Sequence, residues 1–298
     1  MPSGKRAKQQ RRVAAPPPVR GKAGVGGARQ ASPKTLAIAG GVLLLVILAV
    51  VLAIVLTQNN STGGSTDGSY DGPTIHVVKG TPATGDSSNA NALPDASGVA
   101  TMFKGIPQKG FILGNPNAPV TLVEYIDLQC PVCQGFETTE LQELLDKYVR
   151  PGKLKIEMKL WDIIDSNYPG IVDSLRGQKV TIAAAKQNKA FQFAEVLYNN
   201  QPFNGEGTGW MDDAMISNVA RSIDGLKTSK FVTDANSEAT ATLIRQTDTY
   251  ANNQPQFSGT PTFLLAKGDA APKYYGTGSP AMDLSNLEPA INALLPKK

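Results

Sequence analysis

Apolar and polar positions alternate along this chain in four successive regimes. The first is an unbroken apolar run, "LAIAGGVLLLVILAVVLAIVL" at 36–56, with 21 residues and no charge. At the helical rise it spans about 30 Å, the hydrocarbon thickness of a bilayer, and predicts a single transmembrane helix. A cleaved signal peptide would have a shorter apolar stretch, roughly 7–15 residues, ending in a small-x-small site. "VLTQNNST" offers no such site. The second regime, residues 57–104, is dominated by Ser, Thr, Gly, Asn, Asp and Pro and reads as a flexible linker. Its one apolar piece, "TIHVV", carries His76, the only histidine, which reads as a solvated linker side chain.

The third regime begins at "GIPQKGFILGNPNAP" and is globular. "VTLVEYID" (120–127) predicts a strand from its β-branched and aromatic content. From about 131 a helix follows, with Cys133, Phe136, Leu141, Leu144, Leu145 and Tyr148 on one face, until "RPGK" breaks it. "LKIEMKLWDII" (154–164) alternates as the next strand. The fourth regime is helical: "QKVTIAAAKQNKAFQFAEVLYNNQ", "MDDAMISNVARSIDG" and "SKFVTDANSEATATLIRQTDTYANN", with Asp212 and Asp213 suiting a start and Gly225 a stop. Strands return in "TPTFLLAKG" (260–268) and "KYYGTG" (273–278). A last helix, "SNLEPAINALL", has capping-box spacing at Ser285 and Glu288, with Pro289 in its first turn.

Charge sharpens this division. Residues 1–34 carry nine of the 29 basic side chains and no acid, which leaves 20 basic against 25 acidic residues, a net −5, in the rest. The basic segment, 1–35, is too rich in Pro and Gly to fold and reads as a disordered cytoplasmic tail. Positive residues stay inside, so the body is expected outside a cell membrane crossed once. An acidic body excludes a nucleic-acid-binding surface as its main business.

The only two cysteines stand three apart in "QCPVCQ". A bridge between them would close almost no loop, so it would stabilise the fold little. Zinc needs about four ligands, and the folded region has no further Cys and no His, so no metal is expected. Free buried thiols would tend to oxidise outside the cytoplasm. Redox chemistry is the reading left. Cys130 falls where a strand gives way to a helix, whose unsatisfied N–H groups favour a thiolate. Pro131 suits the first helical position. Cys130 is thus expected to be the exposed nucleophile and Cys133 the shielded partner, in a cycle that passes through a mixed disulfide. Val132 between them adds bulk and no charge, so the depression of the Cys130 pKa should be real and less than extreme. Glu124, on the strand six residues before Cys130, reads equally as a partly buried proton relay for Cys133 or as an exposed position without a role. Thr260-Pro261 opens a strand, where a plain turn or a cis bond would serve.

"APVTLVEYIDLQCPVCQGFE", a long helical insertion and then "GTPTFLL" together resemble the DsbA-like thiol-disulfide oxidoreductases of the thioredoxin superfamily. The resemblance covers about residues 105–298. It implies an α/β thioredoxin fold with a helical subdomain inserted over about 170–255. It also implies that Cys130 and Cys133 are the redox pair, Glu124 the buried acid, and Thr260 and Pro261 the cis-proline loop lining the substrate groove. The chain departs from the most oxidising members at Val132, where they carry histidine. The expected function is to introduce disulfides into exported proteins, with no cofactor beyond the Cys130–Cys133 disulfide. Reduced exported proteins and a membrane redox partner that reoxidises the dithiol are the expected partners. A disulfide isomerase or reductase with the same site, or a non-catalytic binding or assembly factor, are the alternatives.

Overall fold

The computed structural model of the chain describes residues 72–77 and 93–297. The basic tail and the apolar run at 36–56 lie outside them. Among the described residues no helix is long and apolar enough to cross a membrane.

A six-stranded sheet carries the fold. Its strands are β1 (Gln108–Lys109), β2 (Ile112–Leu113), β3 (Val120–Ile126), β4 (Leu154–Leu160), β5 (Thr262–Lys267) and β6 (Lys273–Thr277), in the order β1-β2-β4-β3-β5-β6. Only the β3–β4 pair is parallel. β3 is central and buried along its whole length, so its sequence is apolar on both faces except at Thr121 and Glu124, whereas β4 alternates buried and half-buried positions. β4 stops at Leu160, short of the 164 expected from sequence. The N–H groups of Ile163 and Ile164 turn away from the sheet to the carboxylate of Asp127, each at 3.1 Å.

The helices are α1 (Ala96–Met102), α2 (Pro131–Thr139), α3 (Leu141–Leu144, running on into a wider turn at Leu145–Val149) and five in the insertion. These five are α4 (Asp173–Ala185), α5 (Ala190–Asn199), α6 (Asp213–Ser222), α7 (Thr228–Ala235) and α8 (Glu238–Asn252), and α9 (Leu284–Leu294) closes the chain. The six apolar positions read on one helical face after Cys130 are all buried. Two continuous helical runs of the sequence are broken in the structure. Asn188, at φ 58°, separates α4 from α5, and Ser237 caps α8 by accepting from the Thr240 N–H. The capping box expected at Ser285 and Glu288 does not form. Asp283 caps α9 two residues earlier, accepting from the Ser285 N–H at 2.8 Å, so Pro289 lies inside the helix. Glu288 instead pairs with Lys147 at 2.7 Å.

The boundary at 104 also moves. Leu93, Ala96, Val99 and Phe103 are buried against the domain, and Phe103 meets Phe191 at 6.2 Å. Composition hid their three- and four-residue spacing in "LPDASGVATMF". Upstream, Ile75 is fully buried, its N–H donating to Asn236 Oδ1 (2.8 Å) and its carbonyl accepting from Asn236 Nδ2 (2.9 Å). Lys179 Nζ donates to the Pro73 carbonyl at 3.0 Å. His76 is exposed, as read. Residues 72–77 and 93–103 therefore belong to the folded body and strap its helical insertion.

One glycine sets how closely the insertion approaches the sheet. A Cβ on Gly177 would stand 2.6 Å from Leu128 Cβ and 3.2 Å from Met211 Sδ. Gly177→Ala should cost about 1–3 kcal/mol by overpacking, read by urea denaturation, since neither neighbour is the free end of an exposed side chain.

Candidate active site

β3 delivers the site. It ends at Ile126, and the chain then makes a tight connection in which the Cys130 N–H donates to the Asp127 carbonyl at 3.0 Å. Cys130 takes the N-cap of α2 in an extended conformation (φ −71°, ψ 119°), Pro131 follows at the first helical position, and Val132 is 41% exposed. Both cysteines are free thiols. Cys130 Sγ accepts from the Cys133 N–H at 3.4 Å and donates to the Thr260 carbonyl at 3.5 Å. The Thr260–Pro261 peptide bond is cis, and this loop closes over the sulfur from β5.

The expected order of exposure holds, but its extent does not. Cys130 is only 5% exposed and Cys133 is fully buried. The two thiols are electrically unequal. Cys130 is held below the usual cysteine value by the hydrogen bond from the Cys133 thiol, against the cost of burial, with the Cys133 N–H adding to the effect. Cys133 is pushed well up by burial first and by Cys130 second. The larger lever on Cys130 is thus its partner thiol, and the helix N–H seen in the sequence is a smaller one.

Glu124 is fully buried, which removes the reading of it as an exposed strand position. It stands opposite Phe263 in the β3–β5 register, and Phe263 packs on Phe136 of α2 at 5.0 Å. Its carboxyl therefore faces the helix that carries Cys133. Two further carboxyl groups share this interior: Glu137, one turn beyond Cys133, and Glu195 of α5, at 2% and 1% exposure. Among the described residues no donor reaches either oxygen of Glu124 or of Glu195. Glu137 and Glu195 approach each other closely enough to share a hydrogen bond, which forms only when one of them holds a proton. Burial is the first cause that raises all three, Glu195 to about 8, and mutual repulsion the second for Glu124 and Glu137.

Sequence reasoning missed Glu137 and Glu195, and both left a trace. Cys133 and Glu137 are four apart on one helix face, and Phe191, Glu195 and Tyr198 fall on one apolar stripe of "FQFAEVLY". It also missed how the loop before Cys130 is fixed. Asp127 accepts from Ser174 Oγ (2.7 Å) and from the Gln129, Ile163 and Ile164 N–H groups, each at 3.1 Å. Burial outweighs these bonds and pushes its carboxyl up to about 6. The hydroxyl of Tyr198 donates to the Asp127 carbonyl at 2.9 Å. Gln129 is fully buried, and its amide donates to Asp165 and Ser174 at 2.6 Å each. The insertion thus holds the redox loop from below.

The family model described as Thioredoxin matches residues 107–272. A probable disulfide bond formation protein D of Bacillus anthracis is 26% identical over 190 residues, covering 62% of this chain and 78% of that protein. The Bacillus cereus protein of the same description is 30% identical over 130 residues, 42% of this chain, and the match spans 56% of that relative's length. Among solved structures, oxidised BdbD of Bacillus subtilis superposes with a TM-score of 0.51 at 19% identity, over 63% of this chain and 96% of that one. A variant of alpha-DsbA1 from Wolbachia pipientis gives 0.51 at 20% identity, over 65% and 94%. These superpositions bear on the fold alone. The chain belongs to the thioredoxin family.

Proposed function

We propose that the protein is a membrane-anchored, extracytoplasmic oxidase that introduces disulfides into exported proteins. The observation that carries the reading is the inequality of the two thiols: one nearly covered sulfur beside the Thr260 carbonyl with its pKa lowered, the other fully buried with its pKa pushed well up. In the oxidised protein a client thiolate attacks Cys130 Sγ. The Cys130–Cys133 bond breaks, a client–Cys130 bond forms, and the electron pair passes to Cys133 Sγ, which takes up a proton. The buried carboxyl groups behind α2, Glu124 and Glu137 foremost, are its source. A second client thiolate then attacks the client sulfur of the mixed disulfide and releases Cys130 as a thiolate, a good leaving group because its pKa is depressed. The client has lost two electrons and gained a disulfide. A membrane redox partner takes those electrons from the dithiol and restores the disulfide. Thr260 and Pro261, beside Cys130, line the groove in which the client chain lies.

The test is the reduction potential of the full-length protein equilibrated against glutathione buffers. A value near about −120 mV supports the oxidase, and one near about −270 mV replaces it with a reductase or isomerase. Val132→His should move the potential upward by roughly 30 mV or more, because a cation at that position favours the Cys130 thiolate and so the reduced state.

A further inference from the structure

Phe203 is 94% exposed, while the other large apolar side chains that reach solvent among the described residues, Val132, Tyr250 and Tyr274, are 40–49% exposed. Its loop, residues 201–209, is nevertheless firmly fixed. The Gly205 N–H donates to the Pro202 carbonyl at 2.9 Å, and Thr208 Oγ1 donates to the Gly205 carbonyl at 2.7 Å. Gly207 lies flat on the ring of Tyr168: with φ at 70°, a Cβ there would stand 2.3 Å from Tyr168 Cδ1. The loop is also bonded to the redox site itself. Gln201 Nε2 donates to the Gln129 carbonyl at 2.7 Å, the Gly207 N–H donates to Gln129 Oε1 at 2.9 Å, and Gln134 Nε2 donates to the Gln201 carbonyl at 3.3 Å. Residues 129 and 134 bracket the C-P-V-C motif. Among the described residues nothing covers this ring, and it is its place on a loop fixed to both sides of the redox motif that marks it for a contact with whatever reaches the dithiol.

We propose that Phe203 is an apolar grip for the client polypeptide, holding the residues that flank the client cysteine while its sulfur reaches Cys130. This rests on the oxidase reading above. Half-exposed Val132, between the two cysteines, supplies a second apolar contact from the other element. The charge around Phe203 selects the occupant. Residues 190–220 contain no Lys or Arg, and the acids among them outside the buried Glu195 are Glu206, Asp212 and Asp213, which disfavours an anionic lipid surface. A second copy seated on Phe203 would press on a loop bonded to Gln129 and Gln134, on either side of the C-P-V-C motif, and crowd the approach to Cys130, already only 5% exposed. An unfolded client suits both facts. Cysteines destined for a folded interior are flanked by apolar residues, and one ring on a rigid loop reads that feature without reading a sequence. The grip also lets go unaided, since a client that folds around its new disulfide withdraws those residues from the surface.

The experiment uses oxidised full-length protein in lipid nanodiscs and two reduced dicysteine peptides, identical except that Leu and Phe flank the cysteines of one and Ser those of the other. Wild-type protein should oxidise the apolar peptide with a kcat/KM about tenfold or more above the serine peptide, the change residing in KM. Phe203→Ser should bring the ratio close to one, and Phe203→Leu should keep most of it. A ratio that persists in Phe203→Ser overturns the grip. So does a Phe203→Ser variant whose only change is in self-association by sedimentation or in vesicle binding, because the occupant is then a second copy or lipid. Wild-type protein that oxidises both peptides equally overturns the grip and leaves the oxidase standing. Wild-type protein that oxidises neither overturns both.

Discussion

Replacing Cys133 with serine should turn the protein into a trap, and replacing Cys130 with serine should silence it. In the Cys133→Ser chain, the Cys130 thiolate can still attack a client disulfide, forming a client–Cys130 bond and releasing the other client sulfur as a thiolate, but no second sulfur stands one helical turn on to displace the client. Client–Cys130 mixed disulfides should therefore accumulate as bands on non-reducing gels that collapse on reduction. The Cys130→Ser chain keeps a thiol that is fully buried and pushed well above the usual cysteine value, so it has neither access nor thiolate. Oxidation of a dithiol peptide should fall by at least about a thousandfold, since residues acting as one unit fail together. A Cys130→Ser protein that still supports its function in cells would leave only the binding-factor reading standing.

The second large effect concerns Glu195 and pH. Burial raises its pKa from an ordinary carboxylate value to about 8, with repulsion from Glu124 adding to the rise. The folded chain therefore holds a proton that the unfolded chain releases above about pH 4.5. Because the folded state binds more protons in that window, stability falls as pH rises from about 4.5 through about 8. Glu195→Gln removes the charge that would have to be buried and keeps nearly the same shape. It should leave stability at pH 5 nearly unchanged and raise it at pH 8 by roughly 2–4 kcal/mol, read from urea midpoints of the reduced protein. An unaltered pH profile would show that Glu195 carries no such proton. Glu137, which shares the interior, should dampen the change, because either carboxyl can hold the shared proton.

What could be read in the sequence divides by the range of the interaction. β3, α2 and the cysteine pair were legible because strand composition, the N1 proline and a three-residue spacing are local signals. The Thr260–Pro261 loop was legible only through the family resemblance, because nothing local ties residue 260 to residue 130. The carboxyl group of Glu195 meets Glu137 across α5 and α2, 58 positions apart, and no periodicity reports that meeting. The strap was missed for a different reason. Residues 72–77 and 93–103 bury few side chains each, and a composition dominated by polar and small residues outweighed Ile75, Leu93, Val99 and Phe103. The capping box failed because Asp283 offered an equally good oxygen two residues sooner, and Glu288 was drawn off by Lys147 on another element.

The strap changes the geometry of encounter at a membrane. If residues 36–56 are the anchor proposed here, fifteen residues separate it from the strap, which begins at residue 72, and not the 48 that run to residue 104. Fifteen residues reach at most about 50 Å, and 48 would reach about 160 Å. Local concentration falls as about the −3/2 power of tether length, so docking 72–77 onto the insertion raises it roughly sixfold for a partner beside the anchor. Two hydrogen bonds between Ile75 and Asn236 thus act as a leash stop. With the anchor and the recycling partner proposed here, they would set how far from the bilayer the redox site can range and how often it meets that partner.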